Sequence, residues 1–204
     1  MKAVHQSNMS GKLDGFKSIS TNTKTNRFCI SMHNSKKKDQ ICTKCYSHKM
    51  LDTYRKNMEP ALQRNSDLLS SRNLDDTEVP LIMEAFYRFN AHGELINMQH
   101  LVNLVKIVEH NPHCTFALWT KRKNYIKELF SVRPKPANLI LIYSNPKISN
   151  ILKEPPLHFD KTFNNVLEHE NVSEQNCTGQ KCKNCLLCYK HNGVDTIVEM
   201  VKKY

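Results

Sequence analysis

The apolar and polar positions of this chain change period several times, and the middle is the most regular part. From Asn97 to His110 the apolar residues fall at 98, 101, 102, 104, 105 and 108, which is a helical period. Asn97 is placed to cap that helix, and Asn111-Pro112 ends it. Leu81–Asn90 (LIMEAFYRFN), Thr115–Thr120 (TFALWT) and Asn138–Ser144 (NLILIYS) are continuous apolar runs of the length expected of buried strands. The third run is ended by Asn145-Pro146, and Gly93 follows the first. Asn124–Val132 predicts a second helix, stopped at Arg133-Pro134. A further helix is expected over residues 60–71, with Leu62, Leu68 and Leu69 toward the core.

Strand, helix, strand, helix, strand with short connections predicts parallel βαβ units. The expected fold class is α/β, a partial barrel-like parallel sheet flanked by two cysteine-rich metal-binding segments. One domain over 1–204 accommodates this, with a βα core at 60–150. Residues 1–25 are rich in Ser, Thr, Asn and Lys with little periodicity and read as a loose leading segment. After a loop at Glu154-Pro155-Pro156, the tail finishes in Asp195–Tyr204, read as a short helix or strand. Right-handed crossovers would bring the three strand ends to one edge, where such sheets bind ligands. Those ends deliver Arg88, Asn90, His92, Gly93 and Glu94, then Trp119, Thr120, Lys121 and Arg122, then Tyr143, Ser144 and Asn145.

Cysteine placement changes the picture most. Of eight cysteines, seven fall in two groups: Cys29, Cys42 and Cys45, then Cys177, Cys182, Cys185 and Cys188. C-x2-C steps suit zinc and iron–sulfur ligation. The second group could fill a coordination sphere unaided. The first leaves one position open or takes a fourth ligand, with His33 and His48 as flanking candidates. An iron–sulfur cluster, most simply [4Fe–4S], is expected, with zinc as the alternative. Cys114 lies before a buried run and reads as a small core residue. MKAVHQSNMSGKLDGF has no apolar h-region, so a reducing cytoplasm is expected rather than a disulfide framework. No run approaches the length of a membrane span.

A net charge of +11 favours a polyanionic partner, above all nucleic acid. Basic residues concentrate at Lys36, Lys37 and Lys38, at Lys121, Arg122 and Lys123, and around the tail cysteines. Lys121, Arg122 and Lys123 are the candidate nucleic-acid contacts. Trp119 could stack a base or be buried at the strand end.

The order of motifs resembles the phage gene product 88 family. The carrying residues are Cys29, the element Cys42-Thr43-Lys44-Cys45-Tyr46, then Arg88, Asn90, Gly93 and Glu94, then Trp119-Thr120-Lys121, Ser144 and the tail from Cys177 to Cys188. The family more often has Asp where this chain has Glu94. The likeness spans roughly residues 25–190 and implies a phage or prophage source with the host cytoplasm as its setting. The stretch Phe89–Leu95, ending in Gly93-Glu94, is also distantly similar to radical S-adenosylmethionine enzymes. Their C-x3-C-x2-C loop is absent here, because twelve residues separate Cys29 from Cys42. These resemblances imply a cluster on Cys29, Cys42 and Cys45. They also imply that Gly93, Glu94, Thr120 and Ser144 bind a cofactor such as S-adenosylmethionine, and that Arg88, Asn90 and Glu94 act in catalysis. The expected activity is a cluster-assisted reaction on nucleic acid or a nucleotide. The alternative is a non-enzymatic protein that binds nucleic acid or a host protein through structural metal sites.

Overall fold

The computed structural model describes residues 4–167 and 173–201. Three strands form where the apolar runs predict them: β3 (Phe86–Phe89), β4 (Thr115–Thr120) and β5 (Leu139–Ile148). Four more flank them: β1 (Ser7–Asn8), β2 (Lys17–Ile19), β6 (Lys161–Val166) and β7 (Thr196–Met200). They make one open sheet in chain order, β1-β2-β3-β4-β5-β6-β7. Every pairing is parallel except β1 with β2. β7 settles the tail reading in favour of a strand; residues 202–204 of that reading lie outside the described residues.

Side chains alternate across the sheet as the period of two requires. Tyr87, Phe89, Phe116, Leu118, Leu139 and Leu141 join the helix-side core. There they meet α4 (Met98–His110) and α5 (Lys123–Phe130) through Leu101, Leu104, Val105, Val108, Ile126 and Phe130. Asn97 caps α4 by accepting from His100 N at 2.9 Å. On the opposite face Ala117, Trp119, Ile140 and Ile142 pack with Phe16 and Tyr189, and Cys182 and Cys188 lie against them. Cys114 is buried in the helix-side core, as its position predicts.

Three expectations about elements need correction. Residues 81–85 are not strand: Leu81 and Met83 are 63% and 77% exposed. The Asn111 side chain accepts from Ile82 N at 2.7 Å and so takes the place of a neighbouring strand. β5 does not stop at Asn145-Pro146 but runs to Ile148, with its register against β6 shifting between Ser144 and Ile148. Beyond the proline, Ile148 N donates to Asp39 O at 2.7 Å, and Gln40 bridges Lys147. The leading segment is not loose, since Ser18, Ser20, Thr21, Asn22, Thr23 and Asn26 are buried. It is held by α3 (Glu59–Ser71), whose Asn65 accepts from His5 N and donates to His5 O and Ser20 O at 2.8–3.0 Å. β6, for which the sequence offers no element, carries Asn164 and Asn165 buried in the sheet. Asn164 Oδ1 accepts from Leu152 N and from Asn145 Nδ2.

Candidate functional site

The end of β3 is built by close backbone contact. Asn90 takes a left-handed φ of 57°, and its Nδ2 donates to Trp119 O at 3.1 Å. Gly93 has φ 84°, and a Cβ there would lie 2.6 Å from Thr21 O. Only glycine fits such a position. The approaching group is therefore the leading segment, although Gly93 also borders the cavity described below.

Glu94 is 4% exposed. Its carboxylate accepts from Thr120 Oγ1 at 2.5 Å, Lys121 N at 2.8 Å and Leu95 N at 2.8 Å. Three of roughly four acceptor positions are thus spent joining the ends of β3 and β4. Thr120 is fully buried within this joint and also accepts from Arg122 N. The S-adenosylmethionine likeness, which rests on Glu94, gains nothing from this arrangement. Lys121 Nζ turns the other way and donates to Ser144 Oγ at 2.9 Å.

The first cysteine group is carried by α1 (Arg27–His33), by a 3-10 turn at Ile41–Lys44 and by the start of α2 (Tyr46–Asp52). Asn26 caps α1, accepting from Phe28 N and Cys29 N, and donates through Nδ2 to Glu94 O at 2.9 Å. The same asparagine thus ties Cys29 to the strand-end joint. The anchor of residues 39–40 on β5 places Cys42 and Cys45 beside it. His33 and His48 stack on each other with centroids 4.1 Å apart, and neither borders the cavity.

The second group follows a bridge between Cys177 and Glu199 and a single turn, α6 (Cys182–Cys185), closed by Leu186 at φ 52°. Lys12, from the leading segment, pairs with Glu199 and donates to Cys177 Sγ at 3.6 Å. No sequence pattern predicts that contact, which spans 165 positions.

All of these elements surround one cavity of about 480 Å³. Six thiols line it, Cys29, Cys42, Cys45, Cys177, Cys182 and Cys188, together with Arg88, Asn90, Glu94, Lys121, Ser144 and Trp119. Cys185, Thr120, Arg122 and Lys123 lie outside it. Arg122 stacks over Phe28 and Tyr125 at 4.8 and 4.2 Å. Lys123 is exposed at the start of α5. The basic triplet therefore presents no single surface: Lys121 faces inward and the other two face away.

Electrostatics follow burial. It pushes up the Cys29, Cys42, Cys177 and Cys182 thiols and raises Cys188 to about 12. Burial opposes the charge on Lys121, but attraction to Cys42, Glu94, Cys45 and Cys29 outweighs it and raises the pKa. Lys12 is raised likewise, by Glu199, Cys177 and Cys182 against its own burial. Each cysteine group thus has a lysine beside it. His92 also borders the cavity, with Ser47 Oγ 2.8 Å from its Nδ1. Burial, with Arg55 and Arg88 nearby, lowers it to about 4.

The donor set is soft thiol, which suits iron–sulfur or zinc. Among the described residues no three His, Cys, Asp or Glu side chains converge to hold a single ion. A tetrahedral zinc draws its sulfurs to about 3.8 Å of one another. A cubane binds each thiolate through a different iron and needs no common point. The residues present are of the donor type that either an iron–sulfur cluster or zinc takes.

A model of the family described as gene product 88 matches residues 10–165, which takes in the first cysteine group and all three strand ends but stops before Cys177. No curated protein and no solved structure matches the chain.

Proposed function

From the premise that the chain belongs to the gene product 88 family of phage proteins, we propose that it is an iron–sulfur protein whose cavity binds a nucleotide or the end of a nucleic-acid strand for a cluster-assisted reaction. One observation carries this reading: six thiols from both ends of the chain line the same cavity as Arg88, Asn90, Lys121 and Ser144. A structural metal site has no need of a ligand-sized void beside it. At about 480 Å³ the void lies within the range of pockets that take small molecules.

Cys29, Cys42 and Cys45 are the residues that would hold the reactive centre, and the four tail cysteines would hold a second. A cluster held there would supply one-electron chemistry. Lys121 offsets thiolate charge at the first group, and Lys12 does so at the second. Asn90 and Ser144 supply neutral polar contacts on the cavity wall. Glu94 acts as a positioning residue that fixes the strand ends, and Gly93 and Thr120 serve the same joint. His92, kept uncharged by its burial and in contact with Ser47, supplies a further neutral polar contact on the cavity wall. No helix among the described residues is long and apolar enough to cross a membrane.

Anaerobic purification with iron, sulfide and zinc measured together tests the reading. The expected protein is brown and contains acid-labile sulfide. Colourless protein with stoichiometric zinc and no sulfide overturns it. The second reading, a nucleic-acid-binding protein with structural metal, is favoured by the exposed Lys36, Lys37 and Lys38 after α1. Under that reading, changing those three lysines to alanine flattens the salt dependence of DNA binding by about three units of slope.

A further inference from the structure

Arg88 is the most exposed to question of the charges in the cavity. Its guanidinium lies 3.9 Å above the Trp119 ring, a cation–π contact that holds its plane. Among the described residues, its buried Nε has no hydrogen-bond partner, and neither has the buried indole Nε1 of Trp119. Guanidinium stays charged at any physiological pH. A charge in such a place is costly unless something pairs it.

The acidic groups that face it include the Tyr189 phenol and the Cys182 and Cys188 thiols, and no carboxylate joins them among the described residues. No Asp or Glu among the described residues forms an ion pair with Arg88. The two carboxylates that border the cavity are committed elsewhere: Glu94 to the strand-end joint, and Glu199 to Lys12. Lys121, the next cation along the wall, donates from Nζ to a neutral hydroxyl, Ser144 Oγ. The wall between the two cysteine groups therefore carries more positive charge than its own carboxylates offset.

We propose that Arg88 is an oxyanion receptor, and that the ligand of this cavity carries a phosphate or carboxylate docked on the outer edge of that guanidinium. Arg presents parallel N–H donors that match either anion in a bidentate pair. Stacking on Trp119 fixes the fork, so little ordering is lost on binding. Phosphate is the expected source, because Lys121 supplies a second cation on the same wall. The proposal rests on the cavity being a ligand site and does not depend on which metal the cysteines hold.

Trp119 is the only tryptophan, so its fluorescence reads this place and no other. The test titrates anaerobically purified protein with adenosine monophosphate, adenosine, inorganic phosphate and succinate. It follows Trp119 emission and heat, and measures iron, sulfide and zinc on the same samples. Adenosine monophosphate is expected to bind at least tenfold more tightly than adenosine. Arg88→Met should weaken it by about 10–100-fold while leaving adenosine unchanged, the loss expected of a charge-assisted pair. Arg88→Lys, which keeps the charge and loses the fork, should fall between, and it serves if the Met variant fails to fold. Succinate outcompeting phosphate supports the receptor and names a carboxylate as its ligand. No binding by any of the anions overturns the proposal. Equal binding by parent and variant overturns it too, and loss of metal alone in the variant assigns Arg88 to thiolate charge. Phosphate binding to a protein that holds only zinc leaves this proposal standing and removes the iron–sulfur reading.

Discussion

At Gly93 the Thr21 carbonyl lies where a Cβ would have to go, and the backbone is left-handed. Gly93→Ala combines a steric clash with an unfavourable φ and should cost about 2–4 kcal/mol in denaturant unfolding. An unchanged midpoint would mean the leading segment is not docked there. Two buried histidines set a pH dependence. Burial lowers His92 to about 4 and His100 to about 3. Both titrate near 6.5 once unfolded. As pH falls from about 6.5 toward 4, the unfolded chain takes up protons that the folded chain refuses, so stability drops. Each histidine contributes up to roughly 3 kcal/mol to that drop. Urea melts of His92→Gln and His100→Gln across that window should show a flatter pH profile than the parent. At this scale the sequence points to Arg88, Asn90, Lys121, Ser144 and the cysteines, because polar residues at strand ends and paired thiols are conspicuous. It does not point to Lys12 or the His92–Ser47 contact. Those depend on segments that meet only through the sheet.

Among elements, α3, α4 and β4 are legible because an amphipathic period or an apolar run announces them. β2 and β6 are not. KSI and KTFNNV carry the polar residues of a loop, yet the sheet buries them by bonding their side chains to backbone. Buried asparagines do this repeatedly. Asn65 ties the leading segment to α3, and Asn103 accepts from Leu74 N and donates to Leu69 O and Arg72 O. A composition scan reads such residues as solvent-seeking, whereas here they replace strand neighbours. Asn65→Ala strips partners from three backbone groups, His5 N, His5 O and Ser20 O. It should cost about 2–4 kcal/mol. Hydrogen exchange should then quicken across β1 and β2 before it does in β4. Uniform acceleration throughout the sheet would speak against a local clamp.

For the whole molecule, the cavity joins the two ends of the chain. Lys12 meets Cys177 and Glu199, and Lys181 donates to Gly11 O. Under the proposed function, thiolate–metal bonds would form only in the folded arrangement, and their free energy would add to stability. Chelation at low oxygen should therefore loosen the tail first. Trypsin should then cut after the exposed Lys181, Lys183 and Lys190 while the β2–β6 body resists. A tail equally protected with and without chelator would mean metal does not hold it. The strict chain order of the sheet has a consequence for manufacture. Each strand from β2 onward pairs with the one translated before it, so the body can assemble as it leaves the ribosome. The wall bearing Cys177, Cys182 and Cys188 arrives after the β2–β6 body. Until it does, Cys29, Cys42, Cys45 and the Arg88–Trp119 floor stand open to solvent and oxidants. Under the proposed function, loading with metal would wait for that wall, and a ribosome stalled before Cys177 would leave behind a half-walled, oxidisable product.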